Sequence, residues 1–330
     1  MCIYLSLEAV NSATADRIWA QHWRFLYSLP LSRTVGADVR KETDMQYGPA
    51  VRRRKLGAEL RALRGQAGLT SGEAAARVGW HQSKVSRIET GRSGVRASDV
   101  RLLLEAYEVD DPQLRELLVV LAGGEDENGR PHWWHAYRGL LPPAYRDFIS
   151  LESQACRVRT LETTVVPGLL QTPDYARAVT RAALGGLPEE QVRDLVQVRL
   201  ARQDVLRSEP PLRLSVILDE AVLRRQIGGP EVLAGQLRRL LEAARLPQVR
   251  IQVLPFVSGE HVGLIGPFVI LSFPNISDLD VVVLDHLTSS LYLERKEDLQ
   301  AYTDAFNSLQ GQALSVQDSM DFIAGLGDGA

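Results

Sequence analysis

Gln82, Ser83, Ser86 and Arg87 place one amide, two hydroxyls and one guanidinium within six residues. These are the groups that read base edges in the major groove of duplex DNA, because each donates or accepts hydrogen bonds at fixed geometry. Val85 and Ile88, three apart, must face the other way. A helix over Gln82–Thr90 would therefore show the four polar groups on one side and bury the apolar pair. Lys84 falls at the edge of the polar face, where a cation suits phosphate better than a base. Upstream, the run Arg52-Arg53-Arg54-Lys55 has two readings. It is an arm for phosphates or an adjacent minor groove, or it is a solvated tail.

The elements that must hold this face are legible on either side. Leu56, Leu60, Leu63 and Ala67 recur at helical spacing, and Gly68 ends that helix. Thr70 and Glu73 form a capping box, hydroxyl and carboxylate satisfying backbone donors at the start of a second helix, Ser71 to Val78. Its alanines let a neighbour approach closely. Gly79 permits the sharp turn that follows, and Gly91 closes the third helix.

The stretch resembles the helix-turn-helix of the phage-repressor (XRE) family. The residues that carry the resemblance are Leu69-Thr70 opening the second helix, small Ala75, turn Gly79, Ser83-x-x-Ser86-x-Ile88-Glu89 and Gly91. The resemblance implies double-stranded DNA as partner and an ion pair between Arg64 and Glu89 that braces the recognition helix. It also implies that the loop Arg92-Ser-Gly-Val-Arg96 grips the sugar-phosphate backbone, with Arg92 and Arg96 on phosphates. Two positions depart from the family. Ser71 stands where a phosphate-binding Gln is usual, and Ala74 where Leu is usual, so this small core is thinner.

Charge is divided unequally. Of a formal net −3, residues 51–96 hold 11 Lys and Arg against 3 Asp and Glu, while residues 1–50 hold five of each sign. Residues 97–330 therefore carry net −11. A basic head on an acidic body offers polyanions one face and repels them elsewhere. Cys2 and Cys156 are the only cysteines, so neither a disulfide framework nor a thiolate metal cage is available. The sequence lacks an apolar run long enough to span a bilayer and a signal-peptide start. A cytoplasmic protein without a cofactor is expected.

Residues 1–50 read as an N-terminal extension without sustained periodicity. Either Met45 is the native start, or a helix near Ala13–Leu29 docks on the rest. After the third helix, Ser98/Asp99 begin a fourth with Val100, Leu103, Leu104 and Tyr107 inward. Pro112 leads a fifth with Leu114, Leu117, Leu118 and Leu121 on one stripe. The expected order is an all-α, repressor-like helix-turn-helix domain over 51–122, a linker over 123–131 (GGEDENGRP), and an α+β domain with a mixed sheet over 132–330. In the latter, helices are predicted over Pro142–Thr160, from Pro173, and over Pro188–Arg207. Strands are predicted at Leu212–Leu218, Val249–Phe256, Phe268–Phe273 and Val281–Leu287. His132 and His135 sit three apart, but no third ligand is nearby and no metal site is assigned.

The second half resembles the C-terminal domain, of unassigned function, of actinobacterial XRE-type regulators. WWHAYRGLLPPAY, LESQA, VPGLLQTPDYARA, RLARQ, LDEAVLRR, VLPF, GPFVILSFP and LDHLTSSLYLER carry this likeness. It implies a WhiJ-like, antitoxin-like regulator, often paired with a small protein encoded nearby. Asp219, Glu220, Glu260, His261, Asp285 and His286 fall at strand ends or in loops, where catalytic groups sit. No nucleophile elbow, phosphate loop, HExxH or Cys-His spacing accompanies them. The expectation is a non-enzymatic dimer whose second domain receives a ligand or partner, with Leu169, Gln171, Tyr175, His261 and His286 as the candidate surface.

Overall fold

Short polar side chains fix where the helices of the head begin. Thr70, His81 and Asp111 each accept backbone N–H groups at a first turn, satisfying donors that have no partner inside the helix. The computed structural model describes residues 48–122, 133–137, 139–274, 280–286 and 290–327. The expectations for residues 1–47, for the linker 123–131 and for His132 lie outside the described residues.

The head comprises α1 (Gly48–Gln66), α2 (Ser71–Arg77), α3 (Gln82–Glu89), α4 (Ala97–Ala106) and α5 (Pro112–Leu121). Leu56, Leu60 and Leu63 pack with Ala74, Ala75, Val85, Ile88, Val100, Leu103 and Leu104 in one core. The small Ala74 is fully buried. The basic run is not an arm: it lies inside α1. Between Pro49 and Leu56 nothing breaks a helix, and Arg, Lys and Ala all favour one.

The body runs α6 (Pro143–Gln154), β1 (Arg157–Glu162), α7 (Pro173–Ala183), α8 (Glu189–Ala201), β2 (Arg213–Asp219), α9 (Glu220–Arg224), α10 (Pro230–Ala243), β3 (Val249–Leu254), β4 (Phe268–Ser272), β5 (Val281–Asp285), β6 (Ser290–Leu293), α11 (Lys296–Gln312) and α12 (Val316–Gly327). The sheet order is β3-β2-β1-β4-β5-β6. β1, β2 and β3 run parallel, joined through helices as parallel strands require, and β4 to β6 add antiparallel. This is the mixed-sheet α+β domain that was expected.

Two strands were not. The helix predicted over Pro142–Thr160 stops at Gln154, and its last residues become β1, the strand that joins the parallel and antiparallel halves. Val158 and Thr160 are β-branched, and pairing on both edges outweighs the helical stripe.

Leu161, Ile217 and Leu254 meet Phe306 and Leu309 of α11 on one face of the sheet. Val158, Leu214, Val216, Ile251 and Val253 meet α10 and α12 on the other. α1 packs against α6 and β6, the Arg54 guanidinium pairs with Glu294, and the Lys55 ammonium donates to the Asp280 carbonyl. Residues Met45–Ala330 thus form one compact unit. Among the described residues no helix is long and apolar enough to cross a membrane.

Candidate nucleic-acid interface

α3 is short, so its placement rests on what holds its two ends. At the start, the His81 ring accepts from the Ser83 N–H at 3.2 Å and lies 2.8 Å from the Ser83 hydroxyl. His81 is a cap that sequence reasoning missed, because His ranks low among capping residues. The Gln82 amide donates to the Ser71 hydroxyl at 2.9 Å, tying the first turn of α3 to that of α2. That bond uses the Ser71 oxygen and leaves its hydrogen able to donate to a phosphate.

At the other end Glu89 is buried. Arg64 donates to its two carboxylate oxygens at 2.7 and 3.0 Å and to the Leu69 carbonyl at 2.6 Å. The hydrogen bond to Glu89 is the main reason the Arg64 pKa is raised. The Tyr107 hydroxyl donates to Glu89 at 3.4 Å, and burial first, then the Glu89 charge, raises the phenol's pKa. Arg64 and Glu89, separated by 24 residues in sequence, therefore meet inside the head.

Between these anchors Val85 and Ile88 are buried, while Gln82, Ser83, Ser86 and Arg87 are exposed on the opposite face. Among the described residues, none covers these four side chains. Gly57 makes the approach of α1 to α3 possible: a methyl there would sit 2.7 Å from the Glu89 carbonyl oxygen. Gly91, with φ +67°, turns the chain out of α3 against Arg54. The Arg92 N–H then returns to the Arg87 carbonyl at 2.9 Å. Arg92 and Arg96 are exposed beyond that turn.

The remaining phosphate candidates are placed differently. Lys84 is bound within the subunit, 3.2 Å from Asp99 and 3.4 Å from the centre of the Trp80 ring. Its ammonium joins α3 to α4 through the Asp99 carboxylate, while the side chain stays 38% exposed. Arg54 is held by Glu294, and Arg53, half-buried, carries an Nε without a hydrogen-bond partner. Arg54 and Lys55 are therefore tied to the body.

The candidate surface in the body also divides. Tyr175 is fully buried, its hydroxyl accepting from the Val166 N–H, so it is core and not surface. Leu169 and Gln171 are buried too; the Gln171 amide bridges the Val166 carbonyl and Arg199. Both line a cavity of about 200 Å³ together with Glu162, Arg202 and Asp285. Burial drives the Glu162 carboxyl up to about 8, Asp285 adding to the effect while a Thr160 hydrogen bond opposes it. Glu162 escaped notice because its strand did. His286 is exposed, and His261 is half-buried with Nδ1 lacking a hydrogen-bond partner. Around His261 the loop after β3 exposes Phe256, Val257, Leu264 and Ile265, with Val257 91% and Ile265 86% accessible. Asp219 caps α9 by accepting from the Ala221 N–H, and Glu220 binds Arg224 and the Phe256 N–H.

Residues 55–118 match a helix-turn-helix domain family, a span that runs from α1 into α5 and contains α3 and the loop after it. This head is the DNA-binding module of a helix-turn-helix regulator. No curated protein and no solved structure matches the chain. Residues 145–325 match a second family, described as a domain of unknown function (DUF5753), over more than half of the sequence. With its sheet and flanking helices inside that match, the chain belongs to the DUF5753 family.

Proposed function

We propose that the protein is a sequence-specific transcriptional regulator that binds duplex DNA as a dimer. α3 enters the major groove, where Gln82, Ser83, Ser86 and Arg87 read base edges while Arg92, Arg96 and the Ser71 hydroxyl hold phosphates. The observation that carries this reading is the division of α3: four hydrogen-bonding side chains outward, Val85, Ile88 and Glu89 buried, and Arg64 locking the end. One small head binds weakly, and two heads on half-sites about 34 Å apart are the usual remedy. The body supplies the dimer contact, the signal input, or both. A signal changes operator affinity only if the two arrangements of the heads bind it differently.

The test is a pair of substitutions measured on selected operator and on random duplex. Arg87→Ala is expected to cost about 1–3 kcal/mol on operator and to relax preference at one position. Arg96→Ala weakens both duplexes alike and lowers the salt dependence by about one counterion. Equal effects of both substitutions on both duplexes would sink the assignment of roles.

A second reading, an antitoxin-like protein whose main task is to hold a small partner protein, is supported by the exposed Phe256, Val257, Leu264 and Ile265. Exposed large apolar groups gathered on one loop are of the kind that marks protein contacts. Co-expression with proteins encoded nearby separates the two: Val257→Asp/Ile265→Asp abolishes co-purification under this reading and leaves DNA binding intact.

A further inference from the structure

Four arginines converge where α11 stops covering its face of the sheet. In β1, Arg157 and Arg159 point to the same side as Leu161, by strand alternation. Arg213 of β2 lies beside Arg157 in register. Arg250 of β3 lies beside Ser215, which itself lies beside Arg159. α11 seals the far end of this face through Phe306 and Leu309 against Leu161, Ile217 and Leu254. The near end is left as a groove of about 590 Å³ with the four arginines and Asn307 among its lining, and no lining residue is a carboxylate.

This arrangement opposes the electrostatics of its own domain. Adjacent strands stand about 4.8 Å apart, and like charges directly opposite each other destabilise a sheet. Residues 97–330 are net −11, so carboxylates are plentiful. Yet among the described residues none of the four arginines forms an ion pair. Arg250 donates to Gln252, and Arg159 donates weakly to Thr303 at 3.3 Å. The Arg159 Nε is buried without a hydrogen-bond partner among the described residues, and its guanidinium lies 5.8 Å from the centre of the Phe306 ring. Burial first, then the Arg157 charge, lowers the Arg159 pKa, with Asp280 opposing.

We propose that this groove binds a small molecule carrying two or more phosphate groups, its phosphates lying across Arg157, Arg213 and Arg159 toward Arg250. Guanidinium forks match phosphate oxygens two at a time. A single anion would leave most of the repulsion in place, whereas a chain of phosphates offsets it. The recess has the volume of a small-ligand site. The site goes beyond the DNA-binding reading and stands whether or not that reading holds.

Calorimetric titration of the full chain with inorganic tripolyphosphate, without DNA and at fixed ionic strength, tests it. One site per chain is expected, with affinity falling roughly tenfold or more in Arg157→Gln/Arg213→Gln and unchanged in Arg87→Ala/Arg92→Ala. Both groove arginines are exposed, so the double variant should fold. Without ligand it should melt no lower than the parent, and it should lose the rise in Tm that tripolyphosphate gives the parent. Arg250→Gln serves in its place should the double variant fail to fold. The proposal is overturned by the absence of binding at millimolar tripolyphosphate, or by equal affinity in the groove variants. It is also overturned if the Arg87→Ala/Arg92→Ala variant loses the anion equally, or if the groove variants lose duplex affinity in parallel, which would give the arginines to DNA.

Discussion

Removing Arg64 tests whether the recognition helix is held by its end. Arg64→Ala leaves the Glu89 carboxylate, 7% exposed, with only the Tyr107 hydroxyl at 3.4 Å. Breaking a buried pair from one side costs about 3–5 kcal/mol, because the surviving charge keeps its desolvation penalty. The Arg64 side chain retains 15% exposure, so water reaches part of the site and about 2–4 kcal/mol is the better expectation. Denaturant unfolding of the full chain measures it, and fluorescence anisotropy on operator DNA reads the consequence for α3. Affinity should fall under conditions where the variant is still folded, since α3 loses its orientation. Arg64→Met/Glu89→Leu should recover most of the stability, as apolar groups of similar volume often replace buried pairs without loss. The reasoning fails if Arg64→Ala costs less than about 1 kcal/mol, or costs the same in a Glu89→Gln background, which would mean no coupling between the two.

Two further substitutions probe other links. Gly57→Ala would ordinarily stabilise a helix by about 1 kcal/mol. Here the added methyl meets the backbone of Ile88 and Glu89, which cannot rotate aside, so overpacking of about 1–3 kcal/mol should prevail and Tm should drop; a rise would refute the close approach. Glu162→Gln should flatten part of the pH dependence of stability. The native carboxyl holds its proton up to about 8, whereas the unfolded one releases it near its ordinary value. Stability is therefore undiminished below the unfolded pKa and is lost as pH rises toward 8, at up to about 1.4 kcal/mol per pH unit. The variant should lack that slope in denaturant unfolding across the same window, and parallel curves would dismiss the shifted pKa.

The helix-turn-helix was readable because its signals are local. Thr70 and Glu73 cap each other three residues apart, Gly79 and Gly91 take positive φ at turns, and Val85 and Ile88 share a face by spacing alone. Even the Arg64–Glu89 pair followed from a resemblance to proteins with the same register. What escaped depends on partners distant in sequence. Arg157–Glu162 carries a pattern compatible with either period and becomes a strand because β2 and β4 flank it. Gly57 carries no signal of its own in the sequence, and its role depends on α3 lying across it. Lys84 looked like a phosphate ligand because Trp80 and Asp99 could not be placed around it. Tyr175 sat in a turn-rich segment, yet the segment folds inward through the Gln171 and Gln236 amides.

The same partners revise how strongly the head should respond to salt. Its net charge of +8 over 51–96, read as phosphate contacts in a dimer, would give a slope of log K against log salt near −14, at about −0.9 per phosphate. Much of that charge is already engaged within the chain. Arg54 meets Glu294, Lys55 meets the Asp280 carbonyl, Arg64 meets Glu89, Arg77 meets Glu108 and Lys84 meets Asp99. Arg87, Arg92 and Arg96 are the exposed arginines of α3 and its following loop. Two or three phosphate contacts per head give a dimer slope of roughly −4 to −5. Titration of operator affinity from low to moderate salt reads it directly. A slope steeper than about −10 would require the pairs to Glu294 and Asp280 to open on DNA. α1 would then release the body as the head binds, and the basic run would reach phosphate after all.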